Sequence, residues 1–292
     1  MELLRSLIFV PGNRRDMLEK ARQFDADVIM ADLEDSVPPA EKLNATQIVK
    51  EMAPTLSGRG QKIVVRLNSL DTGLTQDELS ALIGPHLYGI SLGKVESTWD
   101  IRECHRVIST LEKGAGLEPG YLKIIPWIEN SRAVMRVYDI ATASPRVVAL
   151  AFGAEDYTDD MDVQRTDEGE EVYFPRAMVA LAARAAGVVA LDSPYVRYRD
   201  QEGLRKEIEL GLKLGFKGKF AIHPAQLDAI NTMFSPRSGD VEYARRVVEA
   251  WNQAEAAGRG STSLDGRMID VPVVKRARSL LALADAIARR QQ

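Results

Sequence analysis

Eight short apolar segments recur along the chain, and a longer amphipathic stretch follows each of them. The segments begin about 20 to 40 residues apart, which leaves room for a helical crossover between parallel strands. They are SLIFVP (6–11), DVIMADLE (27–34), KIVVRLN (62–68), YGISLGKV (88–95), LKIIPWIE (122–129), VVALAFG (147–153), GVVALDSP (187–194) and KFAIHP (219–224). Eight alternating strands and helices predict an α/β fold, the (β/α)8 TIM barrel.

A doubly wound open sheet is the alternative to the barrel. Such a sheet usually has a glycine-rich phosphate-binding turn after its first strand, and FVPGNRRDM does not match the G-x-G-x-x-G pattern. Five intervening segments have helical patterns, at residues 14–24, 75–83, 131–143, 175–187 and 200–215. We therefore favour the barrel.

The chain continues beyond the eighth unit for about 60 residues, more than a barrel needs. This tail contains a helical candidate (240–258), the polar loop RGSTSLDGRMIDVP (259–272) and a final helix. We predict two domains, a (β/α)8 catalytic barrel over residues 1–232 and a C-terminal helical and loop lid extension over residues 233–292.

Charge and cysteine content exclude several classes of protein. The net charge of -4 and the isoelectric point near 5.6 argue against a nucleic-acid partner, which requires a concentrated basic face. The single cysteine, Cys104, rules out an intrachain disulfide framework. The sequence shows neither a signal-peptide pattern nor an apolar run of about 18 residues. We expect a cytoplasmic protein without a membrane partner.

Acidic side chains dominate the predicted carboxyl ends of the strands, where barrel enzymes place their active sites. The charged and titratable residues there are Asp32, Glu34 and Asp35 after strand 2, Arg66 after strand 3, Lys94 and Glu96 after strand 4, Glu129 after strand 5, Glu155 and Asp156 after strand 6, Asp192 after strand 7 and His223 after strand 8. Carboxylates that converge repel one another unless a cation binds them or some of them are protonated.

A magnesium ion fits this set of residues better than zinc does. Three histidines and one cysteine, with no H-x-x-x-H pair, argue against zinc. Mg²⁺ takes one or two carboxylates and leaves the other positions to water and substrate. Glu129 and Asp156 are the candidate ligands, because Glu129 directly ends an apolar run where an unpaired charge is unfavourable.

The acids that follow Asp156 have a simpler interpretation. Asp159, Asp160 and Asp162 are expected to be loop and helix-capping residues. Arg66 closes the apolar run IVV and needs an anionic partner. That partner is a nearby acid, or the arginine recognises a substrate anion, and the two roles are compatible.

Ten segments in order resemble one enzyme family. They are SLIFVPGNRRDMLEKA, DVIMADLEDSVPPAEK, VVRLNS, GKVES, PWIEN, AFGAEDYTDDM, FPRAMVALAARAAGVVALDSPY, EGLRKE, LGFKGKFAIHPAQ and LDGRMIDVPVVKRA. Together they resemble the citrate lyase β-subunit-like proteins of the HpcH/HpaI aldolase superfamily, which include malyl-CoA and citramalyl-CoA lyases. The resemblance runs from about residue 5 to residue 280.

The resemblance implies a Mg²⁺-dependent barrel, with Mn²⁺ as a possible substitute, that cleaves or forms a carbon–carbon bond between an acyl-CoA and a small α-keto acid. The metal ligands of the family match Glu129 and Asp156. The family's arginine that contacts the keto-acid end of the substrate matches Arg66. Its C-terminal segment covers the active site of a neighbouring subunit and carries an acid that matches Asp270. A homotrimer, or a multiple of one, is therefore expected.

The expected reaction splits a 3-hydroxyacyl-CoA through an acyl-CoA enolate. Asp270 is the candidate acid/base at the enolate carbon, and Arg66 stabilises the developing oxyanion. We assign Asp32, Glu34 and Asp35 to orienting Arg66 and metal-bound water. Three further predictions concern residues outside this set. Arg14 and Arg15 contact CoA phosphates or, as we prefer, form a solvated helix face. Lys94 and Glu96 pair with each other outside catalysis, and His223 is a packing residue.

Three other functions stay open. A free-acid aldolase of the same superfamily would act without CoA, and a malate-synthase-like or thioesterase-like enzyme would hydrolyse the CoA product. A citrate lyase β-type subunit would work inside a larger acyl-carrier complex, which is not favoured. The sequence does not distinguish between possible acyl-CoA and keto-acid pairs.

Overall fold

A computed structural model describes residues 2–291. The described chain divides into two compact units, one over Leu4–Asn231 and the other over residues 232–291 together with residues 2–3.

The first unit is built on a closed barrel of eight parallel strands, in which β1 pairs with both β2 and β8. The strands are β1 (Ser6–Pro11), β2 (Val28–Asp32), β3 (Lys62–Leu67), β4 (Gly89–Leu92), β5 (Lys123–Ile128), β6 (Ala149–Phe152), β7 (Val189–Asp192) and β8 (Gly218–Ala221). Their nearly continuous apolar character is typical of parallel strands that are covered on both faces. The structure confirms the predicted (β/α)8 barrel.

Ten helices accompany these strands. They are α1 (Arg15–Ala21), α2 (Lys42–Leu56), α3 (Thr75–Leu82), α4 (Thr98–Gly114), α5 (Ser131–Met135), α6 (Val137–Thr142), α7 (Ala154–Asp160), α8 (Glu170–Ala186), α9 (Gln201–Leu214) and α10 (Leu227–Met233). The helix predicted over 131–143 is two helices, because the backbone leaves the helical region at Arg136.

Alternate residues of each strand face the inside of the barrel. The interior cluster includes Val28 and Met30 of β2, Val64 of β3, and Ile125 and Trp127 of β5. Because side chains alternate along a strand, the next interior positions are Asp32, Arg66 and Glu129. The alternation therefore brings three polar side chains from three different strands to the carboxyl end of the barrel interior.

The second unit contains α11 (Ser238–Ala256), β9 (Thr262–Leu264), β10 (Arg267–Ile269) and α12 (Val271–Gln291). Trp251 of α11, Ile269 of β10 and Val274 of α12 belong to its apolar core. The prediction of a loop over 259–272 was wrong in its centre, where β9 and β10 form an antiparallel hairpin. Its turn is Asp265–Gly266, and both residues have the positive φ angles, 50° and 75°, that tight hairpins require.

No helix among residues 2–291 is both long enough and apolar enough to cross a membrane.

Candidate active site at the carboxyl end of the barrel

A buried arginine–carboxylate pair lies at the top of the barrel interior. Arg66 Nε and Nη2 each donate a 2.7 Å hydrogen bond to Asp32, a bidentate geometry that fixes the guanidinium plane. The guanidinium carbon lies 4.8 Å from the centre of the Phe9 ring and 5.9 Å from that of Trp127. Burial opposes the ionisation of Asp32, but the hydrogen bonds and charge of Arg66 outweigh it and lower the pKa of Asp32.

Two further acids of the segment after β2 face the same arginine. Arg66 Nη1 donates a 3.2 Å hydrogen bond to Asp35 and lies 3.1 Å from Glu34 Oε2. Glu34 is only 4% exposed, and within the described residues neither of its carboxylate oxygens has a hydrogen-bond partner. Burial raises the pKa of Glu34 to about 7, although the positive charge of Arg66 opposes the rise.

Glu129 directly follows β5 and is also 4% exposed. Its Oε1 accepts a 2.6 Å hydrogen bond from the backbone N–H of Lys94, the second residue after β4. Burial, followed by the negative charge of Asp156, raises the pKa of Glu129 to about 8. The surrounding protein therefore supplies too few hydrogen bonds and too little positive charge to stabilise the ionised form of Glu129.

Asp156 reaches the site from the first turn of α7, directly after β6. It is half-buried, and burial together with the negative charge of Asp35 raises its pKa. Asp156 and Glu129 both line a cavity of about 770 Å³. The cavity extends outward past Lys94 to Trp99 on α4.

Two glycines make room for the carboxylates. A Cβ atom on Gly93, directly after β4, would lie 2.7 Å from both oxygens of Glu34. A Cβ atom on Gly153, directly after β6, would lie 2.5 Å from Glu129 Oε2. Both glycines occupy interior positions, so any larger residue would fill the space that the acids use. The sequence alone does not reveal them, because the function of such a glycine depends on which side chain lies opposite it.

This arrangement suits a divalent cation bound through oxygen. Five carboxylates at the barrel end (Asp32, Glu34, Asp35, Glu129 and Asp156) face two cations, Arg66 and Lys94. The pKa values of Glu34, Glu129 and Asp156 are all raised, mainly by burial, so a nearby positive charge would stabilise their ionised forms.

The donor set favours magnesium among such cations. No three histidine, cysteine or acidic side chains within residues 2–291 converge into a metal-binding cluster. A metal here would therefore rest on two carboxylates, Glu129 and Asp156, which is the number that Mg²⁺ commonly takes from a protein.

Several predicted residues lie elsewhere or have other partners. Arg14 bonds to Asp16 and Arg15 to Glu51, and all four side chains are about half exposed. The predicted pair of Lys94 and Glu96 was wrong, because Lys94 Nζ lies 3.5 Å from Glu34 and 3.4 Å from Asp35, whereas Glu96 pairs with Arg132.

Asp192 also belongs outside the site, although it ends β7. Its neighbour Leu191 faces the barrel interior, so Asp192 faces the helices. There it is fully buried and forms ion pairs with Arg176 of α8 and Lys219 of β8, at 2.8 and 2.9 Å.

The remaining predicted residues have local structural contacts. Asp159 and Asp160 lie in α7 rather than in a loop, and Asp160 accepts a hydrogen bond from the Ser131 N–H at the start of α5. The ring of His223 accepts a hydrogen bond from the Ala225 N–H and stacks on Tyr198. In the second unit, Asp270 is half-buried, and its side chain accepts a hydrogen bond from the Val273 N–H in the first turn of α12.

Comparisons with known proteins agree on one family. A family model described as HpcH/HpaI aldolase/citrate lyase matches residues 5–224. The chain is 37% identical over 284 residues to citrate lyase subunit beta of Leuconostoc mesenteroides subsp. cremoris, which covers 97% of this chain and 94% of that protein. It is 34% identical over 284 residues to (3S)-malyl-CoA thioesterase of Cereibacter sphaeroides, covering 97% and 95%.

Solved structures are also similar over nearly the whole chain, and one of them contains bound ligands. It is protein CitE from Mycobacterium tuberculosis in complex with magnesium, acetoacetate and coenzyme A, with a TM-score of 0.75 and 27% sequence identity. The similarity covers 96% of this chain and 97% of that one.

Proposed function

Because the chain belongs to the HpcH/HpaI aldolase/citrate lyase family and is an enzyme of the lyase class, we propose that it cleaves or forms a 3-hydroxyacyl-CoA in a Mg²⁺-dependent reaction. The products of cleavage are an acyl-CoA and a small α-keto acid. The observation that carries this proposal is the pair of carboxylates, Glu129 and Asp156, that line one cavity with raised pKa values beside a fixed arginine.

Glu129 and Asp156 would hold the metal ion. When bound, Mg²⁺ supplies Lewis-acid polarisation of the substrate's oxygens. The Lys94 N–H holds one oxygen of Glu129, and the space beside Gly153 receives the other, so this carboxylate is oriented before a ligand arrives. The related CitE structure, which contains magnesium and coenzyme A, supports magnesium as the cofactor.

Arg66 would stabilise negative charge that develops on the substrate oxygen during bond cleavage. Three of its N–H groups donate to Asp32 and Asp35, so the guanidinium is held without a substrate. A donor that is already oriented requires no rearrangement in the transition state, which is the basis of electrostatic catalysis. Asp32 therefore acts through Arg66 as a positioning residue.

Asp270 would exchange a proton with the enolate carbon of the acyl-CoA. Its side chain caps α12. We propose that residues 233–292 cover the site of a neighbouring subunit in a homotrimer, or a multiple of one. Closure would exclude water from the site around Asp270 during the proton exchange.

A substrate screen tests the proposed activity. Purified protein with Mg²⁺ is given malyl-CoA, methylmalyl-CoA or citramalyl-CoA, and the released keto acid is measured. We expect turnover of at least one ester, its loss in EDTA, and its loss in Glu129→Ala and Asp156→Ala with the fold intact. Glu155→Gln is the matched control, because Glu155 is the exposed neighbour of Asp156 in the same helical turn. Full activity in both ligand variants would refute the metal assignment.

Subunit complementation tests the position of Asp270. Asp270→Asn and Glu129→Ala are each expected to be inactive alone. If Asp270 serves a neighbour's site, random mixed assemblies contain some sites with both residues intact, and about a quarter of wild-type activity returns on co-expression. No recovery in mixed assemblies would place Asp270 in its own subunit's site or outside catalysis.

Thioester hydrolysis is the second candidate function, favoured by the similarity to a (3S)-malyl-CoA thioesterase. The same screen distinguishes the two reactions. A lyase releases acyl-CoA and keto acid without free thiol, whereas a thioesterase releases free CoA, which a thiol reagent detects. Activity only with an acyl-carrier-protein thioester would instead support a subunit of a larger complex, as the name of the Leuconostoc relative implies for that protein.

A further inference from the structure

The segment that follows β4 has an unusual backbone. Lys94 adopts the left-handed conformation with φ of 53°, which is uncommon for a residue that carries a side chain. From this conformation its N–H donates the 2.6 Å hydrogen bond to Glu129. Strained conformations of this kind persist where the surrounding structure holds them, and they cluster at functional sites. The backbone of Lys94 is therefore part of the candidate site.

The side chain of Lys94 is available to a ligand. It is 45% exposed and lines the cavity that Glu129 and Asp156 also line. Its ammonium lies 3.5 Å from Glu34 and 3.4 Å from Asp35. The pair with Asp35 joins two half-exposed side chains and therefore contributes little, so the ammonium can exchange Asp35 for a closer anion.

Arg66, in contrast, is already occupied. Three of its N–H groups donate to Asp32 and Asp35, Nη1 also lies 3.1 Å from Glu34, and the residue is 9% exposed. Arg66 is not among the residues that line the cavity, whereas Lys94 is. An anion that enters the cavity therefore meets the ammonium of Lys94 before it meets the guanidinium.

The other cations along the cavity lie farther from the acids. Arg132 is 71% exposed and pairs with Glu96, and Arg136 follows α5. Neither has an ion pair with Glu34, Asp35, Glu129 or Asp156 among the contacts of residues 2–291. Lys94 is thus the cavity-lining cation that forms ion pairs with the acids at the barrel end, Glu34 and Asp35.

We propose that Lys94 is a further substrate-binding residue, whose ammonium receives the carboxylate of the α-keto acid beside Glu129. This inference rests on the proposed function. An anionic substrate approaching five carboxylates needs a positive charge that is free to turn toward it, and an ammonium on a flexible stem meets this need. Arg66 keeps its fixed position and acts only on the oxygen where charge develops.

Three variants of Lys94 test the proposal. Lys94→Met removes the charge and keeps the backbone N–H, Lys94→Arg restores a cation, and Lys94→Gly relieves the left-handed strain but has no ammonium. Lys113→Met, on the exposed end of α4, is the control. In the condensation direction, we expect Lys94→Met and Lys94→Gly to raise the KM of the keto acid about 10- to 100-fold. The KM of the acyl-CoA should stay near its wild-type value, and Lys94→Arg should recover part of the affinity.

Calorimetric titration separates this proposal from the proposed function. Pyruvate, glyoxylate and oxaloacetate are titrated into the Mg²⁺-loaded proteins without acyl-CoA, so binding is measured even if no turnover is found. Weaker keto-acid binding in Lys94→Met with unchanged Mg²⁺ affinity supports the proposal. Three results would overturn it: wild-type protein that binds none of the three acids, wild-type affinity in Lys94→Gly, or a loss of Mg²⁺ affinity as large as the loss for the keto acid.

Discussion

Replacement of Glu129 by glutamine should stabilise the metal-free protein at alkaline pH and remove its stabilisation by Mg²⁺. Glutamine keeps an oxygen that can accept the hydrogen bond from the Lys94 N–H, and it fills almost the same volume. What changes is the charge, which burial and Asp156 disfavour in the wild-type carboxylate. The variant therefore isolates the free energy of ionising a carboxyl group at this position.

The pKa of Glu129 gives the size and sign of the effect. A rise from 4.5 to about 8 corresponds to an upper limit of roughly 5 kcal/mol at about 1.36 kcal/mol per pKa unit. Between these two pKa values the native state binds more protons than the unfolded state, so the stability of the wild type falls as the pH rises. The free-energy cost of ionising Glu129 in the native state is absent at a pH below its pKa in the unfolded chain, and it is complete at a pH above its pKa in the native state. Glutamine has no such dependence.

The assay is thermal unfolding in EDTA at several pH values from 5 to 8.5. We expect the melting temperature of Glu129→Gln to lie closest to that of the wild type near pH 5, the lowest pH of the series. By pH 8 the melting temperature of the variant should exceed the wild-type value by several degrees. For a chain of this size each kcal/mol of stability corresponds to about 2 °C, so even about 2 kcal/mol, less than half of the upper limit, gives about 4 °C. Glu155→Gln, an exposed neighbour of Asp156, should show a constant offset from the wild type.

Mg²⁺ supplies the second half of the test. Added at pH 8, it should raise the melting temperature of the wild type and leave that of Glu129→Gln nearly unchanged, because binding to the native state stabilises it by mass action. A variant less stable than the wild type at pH 8, or an offset that is the same at pH 5 and pH 8, would refute the argument from burial.

Three further substitutions probe other parts of the barrel. Gly153→Ala places a Cβ atom 2.5 Å from Glu129 Oε2, so calorimetry should show Mg²⁺ affinity reduced about 10-fold or more, with circular dichroism unchanged. Arg66→Lys loses the bidentate geometry and should lower kcat by about 100-fold or more in the keto-acid assay; near-normal kcat would contradict the fixed-donor role. Asp192→Asn leaves the ammonium of Lys219 short of a buried partner, so urea unfolding should show a loss of about 3 kcal/mol or more, whereas an effect below about 1 kcal/mol would mean that the pair adds little.

The sequence predicted the barrel well because its strands are nearly continuous apolar runs separated by helical crossovers. The family match confirms the resemblance that the ten segments carried. The hairpin of β9 and β10 was missed even though Asp265–Gly266 is a strong turn signal. Its strands of three residues are too short to show a clear alternating pattern.

The position of an acid at a strand end did not reveal the direction of its side chain. Asp32 and Asp192 both end strands, yet Asp32 faces the barrel interior and Asp192 faces the helices. Successive side chains of a strand point to opposite faces, so an error of one residue in the predicted register moves a side chain from the barrel interior to the helix side. The strain at Lys94 was equally hidden, because a left-handed lysine has no sequence signature.

The site has to hold a divalent cation and an anionic substrate together, and its residues divide these tasks. Asp32 is balanced by Arg66, and its pKa is lowered, so this pair is complete without a ligand. Glu34 and Glu129 are different, because two glycines give their carboxylates space and the protein gives them few donors. Their ionisation is unfavourable until a cation arrives. Arg66 is held by its adjacent acids where charge develops on the substrate oxygen, so in our proposal a second, movable cation, Lys94, meets the carboxylate of the incoming substrate.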